Sequence, residues 1–128
     1  MKNKVYVACP FAEKERAKEL QNKLIEKGYK ISCDWTVRKE SEPLQEIAID
    51  DMRGVLDCDI FIILSTRMTG AGMYTELGIA LMIRHYRSGH DYTNPRIILV
   101  TQPGMQQNIF YNHPLVEHMT MKDLLQTL

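Results

Sequence analysis

Glu76 lies in the stretch GAGMYTELGIAL, Gly70 to Leu81, behind two glycines and among apolar residues. On a helix of about 3.6 residues per turn it shares a face with Ala80 and Ile83 and lies beside Ile79, so it points along an apolar stripe. Two chemistries fit such a residue. A carboxylate in a first helical turn complements the positive end of the macrodipole, and a carboxylate held at that place can also act as a nucleophile. A second acid, Asp51, raises the same question. On its helix Leu44, Ile47, Ala48 and Val55 form the inward stripe with Asp51 in its middle, while Asp50 shares the polar face with Glu46, Arg53 and Asp57. A carboxylate on an apolar face is costly unless paired or hydrogen-bonded, so Asp51 is either a satisfied contact at a helix end or a working acid.

The elements that carry these acids alternate. KVYVA (Lys4 to Ala8) is a β-prone run, and AEKERAKELQNKLIEKG repeats Ala17, Leu20, Leu24 and Ile25 at helical spacing, with Gly28 as its C′ residue. YKISC reads as a second strand, and a second helix runs from about Leu44 to Cys58 behind Ser41 and Pro43. DIFIIL is a third strand whose continuous apolar character implies burial on both faces, as in a parallel sheet. A third helix spans about Met73 to Tyr86, RSGHDYTNP breaks it, and RIILVT is a fourth strand. PLVEHM suits a fifth short strand, and Thr120 with Asp123 suits a capping box for a last helix, MKDLLQTL. Strands joined by helical crossovers predict one α/β domain over residues 1–128, a doubly wound, mostly parallel sheet of four or five strands in flavodoxin-like order.

Composition agrees with a single soluble domain: 128 residues, 45% hydrophobic and 25% charged. Sixteen Lys plus Arg balance sixteen Asp plus Glu, which removes the electrostatic motive for binding nucleic acid or an anionic membrane. The apolar runs are strand-sized, far below the roughly 20 residues of a membrane helix, and MKNKVYVACPF has no signal-peptide pattern, so a cytoplasmic location is expected. Cys9, Cys33 and Cys58 are widely spaced and read as reduced, packed thiols, and the scattered histidines suggest no metal site.

A doubly wound sheet binds ligands beyond the carboxyl ends of its strands, where the winding reverses. That point gathers Cys9, Pro10 and Phe11 after the first strand, Asp34 and Trp35 after the second, and STRMTGAG after the third. Tyr6 is either a core ring or a ligand contact, and Trp35 either a stacking surface for a planar base or a loop anchor. Gly70 and Gly72 remove bulk and permit positive φ, which lets a ligand approach free N–H groups at a helix start. Ser65, Thr66, Arg67 and Thr69 are available to an anion, Arg67 being equally at home in solvent. Phe110 and His113, after the fourth strand, can supply an aromatic wall or a polar contact.

Together YVACPF, DDMRGVLDCDIFIIL and GAGMYTELGIAL resemble the nucleoside 2-deoxyribosyltransferase superfamily, including its deoxynucleoside 5′-monophosphate N-glycosidase branch, over roughly Lys4 to Val100. The resemblance implies that Glu76 is the nucleophile, that Asp51 assists the leaving base or holds the sugar, and that Tyr6 contacts this pair or the ligand. It implies cleavage or transfer at an N-glycosidic bond with no metal or redox cofactor, a small nucleoside or nucleotide as ligand, and a homodimer or higher homo-oligomer in which a neighbour completes the site. The first loop, CPFAEKE, lacks the Gly-Ser-rich phosphate cradle of the monophosphate hydrolases, which leaves STRMTGAG as the place for a 5′-phosphate. A non-catalytic nucleotide-binding module and an NAD-type glycohydrolase are the alternative readings.

Overall fold

The computed structural model describes residues 3–39, 41–68, 70–90 and 93–128. Five strands, β1 (Lys4–Ala8), β2 (Lys30–Ile31), β3 (Ile60–Leu64), β4 (Arg96–Val100) and β5 (Val116–Met119), alternate with α1 (Lys14–Glu26), α2 (Leu44–Asp57) and α3 (Ala71–Ser88), and α4 (Met121–Thr127) ends the chain. All strand pairs are parallel, in the order β2-β1-β3-β4-β5. This is the expected doubly wound α/β sheet in flavodoxin-like order. Right-handed crossovers then put α1 on one face and α2 with α3 on the other, because the chain steps one way from β1 to β2 and the opposite way afterwards. Accordingly α2 and α3 touch each other. On the α1 side, the Tyr29 hydroxyl donates to the Leu128 carbonyl at 3.1 Å and ties the end of α1 to the C-terminus.

Local signals account for the boundaries. Gly28 has φ +96°, and the N–H groups of Gly28 and Tyr29 bond to the carbonyls of Ile25 and Leu24, a Schellman closure of α1. The Thr120 hydroxyl accepts the Asp123 N–H and starts α4. Every residue of β3 is buried, as its sequence implies. The second strand is shorter than expected: after Lys30–Ile31 the chain leaves the sheet edge at Cys33 and turns into a 3-10 segment, Trp35–Val37, capped by Asp34. The crossover from β4 to β5 carries only a 3-10 turn, Ile109–Asn112. The break expected in RSGHDYTNP includes residues 91–92, outside the described residues.

The stripe expected on α2 is buried only at its end. Val55 and Gly54 are buried, Ile47 is half-buried, and Leu44 and Ala48 lie open, Leu44 at 83% exposure. Beneath the helix the edge strand β2 has just two residues, too few to cover its first half. Where α2 does reach the sheet it comes very close. A Cβ on Gly54 would stand 2.5 Å from the Cys33 Cβ and 2.9 Å from the Tyr6 ring. The Tyr6 ring is in turn fixed by near-parallel stacking on Phe61, its register partner across β1 and β3, with centroids 5.8 Å apart.

Gly54→Ala is therefore expected to destabilise the fold by roughly 1–3 kcal/mol through overpacking, even though alanine gains about 1 kcal/mol over glycine in helix propensity. Urea unfolding of the variant checks this, and a variant at least as stable as wild type would mean that α2 has room to move off the Tyr6 ring.

Candidate active site

Side chains alternate along β1, so Tyr6 faces α2 and α3. Its ring is fully buried and its hydroxyl donates a short hydrogen bond to Glu76 Oε2. Glu76 stands on α3, which starts at Ala71, two residues before the expected start, so the glutamate belongs to the second turn and the first turn contains no acid. Complementing the macrodipole, which acts within the first turn, does not explain it. Glu76 also borders the cleft.

Burial pushes the Glu76 carboxyl up to about 7 from an ordinary 4.5. The Tyr6 hydrogen bond and the positive charge of Arg38 pull it down, and the negative charge of Asp51 pushes it further up. Tyr6, raised by burial and by the glutamate charge, remains a proton donor throughout the physiological range. Asp51, the eighth residue of α2, is half-buried and bonds through Oδ1 to Arg38 Nη2 at 2.8 Å. Arg38 also approaches Glu42 at 3.4 Å and the Cys33 sulfur at 3.7 Å. The Cys33 thiol, pushed up to about 11 by burial and by Asp51, lies 3.9 Å from the Asp51 carboxylate. Asp50, by contrast, is exposed with Glu46, Arg53 and Asp57.

These groups border a cleft of about 610 Å³ at the carboxyl ends of β1 and β3, the reversal point of the sheet. Cys9, Pro10, Phe11, Trp35, Asp51, Gly70, Gly72 and Glu76 line it. Trp35 is buried, its indole N–H donating to the Val7 carbonyl at 2.7 Å, and the more exposed Phe11 sits 6.4 Å from it, so the two rings form one wall. The cleft glycines act through space and not through positive φ, which among the described glycines occurs only at Gly28 and Gly104. A Cβ on Gly70 would press on Pro10 at 3.0 Å, whereas one on Gly72 would meet nothing within 4 Å. Gly70 lets the two loops close together, and Gly72 leaves the start of α3 bare.

Other residues singled out by sequence lie elsewhere. Asp34 accepts Lys18 Nζ at 2.6 Å and caps the Trp35–Val37 turn through Thr36. The Arg67 guanidinium donates to the Pro103 carbonyl at 2.9 and 3.1 Å, outside the cleft. The Ser65 carbonyl accepts Arg16 and Gln102, and the Thr66 hydroxyl donates to Glu13, a latch that fixes the chain leaving β3. Thr69 lies outside the described residues. Phe110 is exposed on the Ile109–Asn112 turn, and His113 Nδ1 accepts the Leu115 N–H at 3.1 Å. The sequence reading missed Arg38 and Lys39 on the cleft lip. Their position just after DWTV, in the loop beyond the second strand, is the signal that would have found them.

Among the described residues no group of three or more His, Cys, Asp or Glu is placed to hold a metal ion, and no helix is long and apolar enough to cross a membrane. No family model matches the chain, and no curated protein does. Solved structures do match. One is the CMP N-glycosidase BcmB of Clostridium botulinum, superposable with a TM-score of 0.67 over 97% of this chain and 96% of that chain at 20% identity. The two chains share a fold.

The raised Glu76 carboxyl has a consequence for stability. A folded-state value of about 7 against an ordinary 4.5 means that the native protein prefers Glu76 protonated, so its contribution is present below the ordinary value and is lost as pH rises through 7. Glu76→Gln removes this dependence. Relative to wild type, the variant is expected to gain on the order of 2 kcal/mol between about pH 5 and about pH 8.5, read by urea unfolding at both values. A difference that stays constant across that range would show that Glu76 titrates normally in the fold.

Proposed function

We propose that this protein breaks the N-glycosidic bond of a nucleoside or nucleoside 5′-monophosphate, with Glu76 as the nucleophile. The observation that carries the reading is Glu76 itself: a half-buried carboxylate at the sheet reversal point, held by the Tyr6 hydroxyl and lining a cleft with an aromatic wall. A shared fold with a CMP N-glycosidase and the resemblance of the three motifs support the same chemistry.

In this reading the base leans on Phe11 and Trp35, and the sugar lies over the carboxylates. Glu76 attacks C1′ through an oxocarbenium-like state, the C–N bond breaks, and its electron pair leaves with the base. Water then attacks C1′ of the glycosyl ester and frees the carboxylate; a second base in its place would give transfer. Asp51, already the acceptor of an Arg38 bond, suits holding a sugar hydroxyl. An anionic group on the sugar fits the first turn of α3, where no side chain caps the helix and Gly72 adds no bulk.

A homodimer is part of the proposal. Met52, Leu56, Met82 and Tyr86 are 58%, 46%, 65% and 69% exposed on the adjoining helices α2 and α3. Exposed apolar residues grouped in this way mark an interaction surface. Outside the cleft the helices are also oppositely charged: α2 has Glu46, Asp50 and Asp57 against Arg53, and α3 has Arg84 and Arg87. A two-fold axis that lays α2 of one copy on α3 of the other pairs acidic with basic rows.

Assaying free base from deoxynucleosides, ribonucleosides, their 5′-monophosphates and NAD tests the activity. Turnover of a nucleoside or monophosphate is expected, lost by 10³-fold or more in Glu76→Ala and reduced far more by Asp51→Asn than by the exposed Asp50→Asn. Near-normal base release by Glu76→Ala would sink the mechanism, and saturable binding without any release would make the protein a nucleotide-binding module. For the assembly, sedimentation of the wild type should give a dimer and Met82→Glu a monomer. A wild-type monomer at high micromolar concentration would overturn that part.

A further inference from the structure

Arg38 is a cation at the edge of the cleft, bonded there to Asp51. Its side chain, only 13% exposed, comes from the lip that follows the Trp35–Val37 turn and reaches Asp51 at 2.8 Å. Its neighbour Lys39 is exposed, and its backbone N–H is 3.4 Å from Glu42. Around Glu76 stand Tyr6 from β1, Asp51 from α2, Cys9 from the loop after β1, and Arg38 from the lip. Two of these are acids that resist losing a proton beside a carboxylate, one is itself a carboxylate, and one is a permanent cation. Ionising Glu76 next to Asp51 places two like charges in a half-buried cleft, and such pairs share their protons unless a counter-charge is at hand.

We propose that Arg38 is a positioning residue that grips Asp51 and, through it, allows Glu76 to stand beside Asp51 as a carboxylate. Arg38 thereby sets the pH above which the site is competent. The planar guanidinium suits the task, because it spans Asp51 and Glu42 at once and cannot be deprotonated. A purely structural tie between the lip and α2 would need the same contacts but would leave the ionisation of Glu76 unchanged. The kinetic consequence rests on the N-glycosidase reading; the ionisation itself does not.

Carboxyl-carbon NMR of protein labelled at glutamate, with Glu76 assigned by its loss in Glu76→Gln, follows that ionisation without substrate. Arg38→Met is expected to move the Glu76 midpoint upward by about one pH unit, and Arg38→Lys, which keeps the charge, to restore most of the shift. The rising limb of the kcat/KM profile for base release should move with it. An unmoved midpoint in folded Arg38→Met overturns the proposal. If Arg38→Met does not fold, Arg38→Gln, which keeps a polar contact to Asp51 but no charge, decides: its midpoint should also rise by about one pH unit, and a midpoint that stays in place overturns the idea. A shifted midpoint in a protein that releases no base would uphold the role of Arg38 and overturn the enzymatic reading instead.

Discussion

A carboxylate under the lip of a parallel sheet is expensive to keep, and the hydrogen bond from Tyr6 to Glu76 is the interaction that makes it tolerable. Much of the surrounding architecture serves that bond. The tyrosine must be long enough to reach from the middle of β1 to α3 and rigid enough to stay there, which stacking on Phe61 provides. The helix above must come close, which Gly54 permits. The glutamate must border a cleft and not the core, which it does from one turn inside α3. Strand, helix and glycine thus answer to one polar contact.

The order of the strands decides where that contact can lie. Because β1 and β3 are neighbours while the helices after them leave on opposite faces, the loops at their carboxyl ends diverge and leave a crevice. Proline and glycine shape it: Gly70 allows Pro10 to approach, and the latch of Glu13, Arg16 and Thr66 holds the chain that emerges from β3. Arg67, bonded to Pro103, belongs to the same bracing and joins this loop to the one after β4. The chain from Ser65 to Arg67 is therefore braced, and the cations that border the cleft come from the opposite side, after β2.

Much of this was legible in the sequence. Strands one, three and four and the three long helices follow from periodicity and from Gly28, and the parallel order follows from their alternation. Asp51 was separable from Asp50 by helical phase alone, although the stripe used for the argument is exposed at Leu44 and Ala48. Phase survives such an error because it depends on the angle between residues and not on what lies beneath them. What could not be read is contact across the chain. The bond from Tyr6 to Glu76 joins residues seventy positions apart and was expected only through the family resemblance, and Arg38 gains its meaning only when the chain turns back on α2. Arg67 shows the converse, a residue in the right loop whose side chain is spent on a carbonyl.

The start of α3 explains why the simplest account of Glu76 fails. Had the helix begun at Met73, the glutamate would fall in the first turn, where a negative charge is favoured and its carboxyl would be held low. Beginning at Ala71 moves it into the second turn, away from the strongest part of that field, and burial then dominates and raises the carboxyl to about 7. Burial, and not the field of the helix, thus makes Glu76 a carboxylate that exchanges its proton near neutrality. That residue is poorly solvated, oriented by a phenol and disfavoured as an anion by its burial. In the proposed reaction such a carboxylate gains most when the sugar carbon develops positive charge as its base departs.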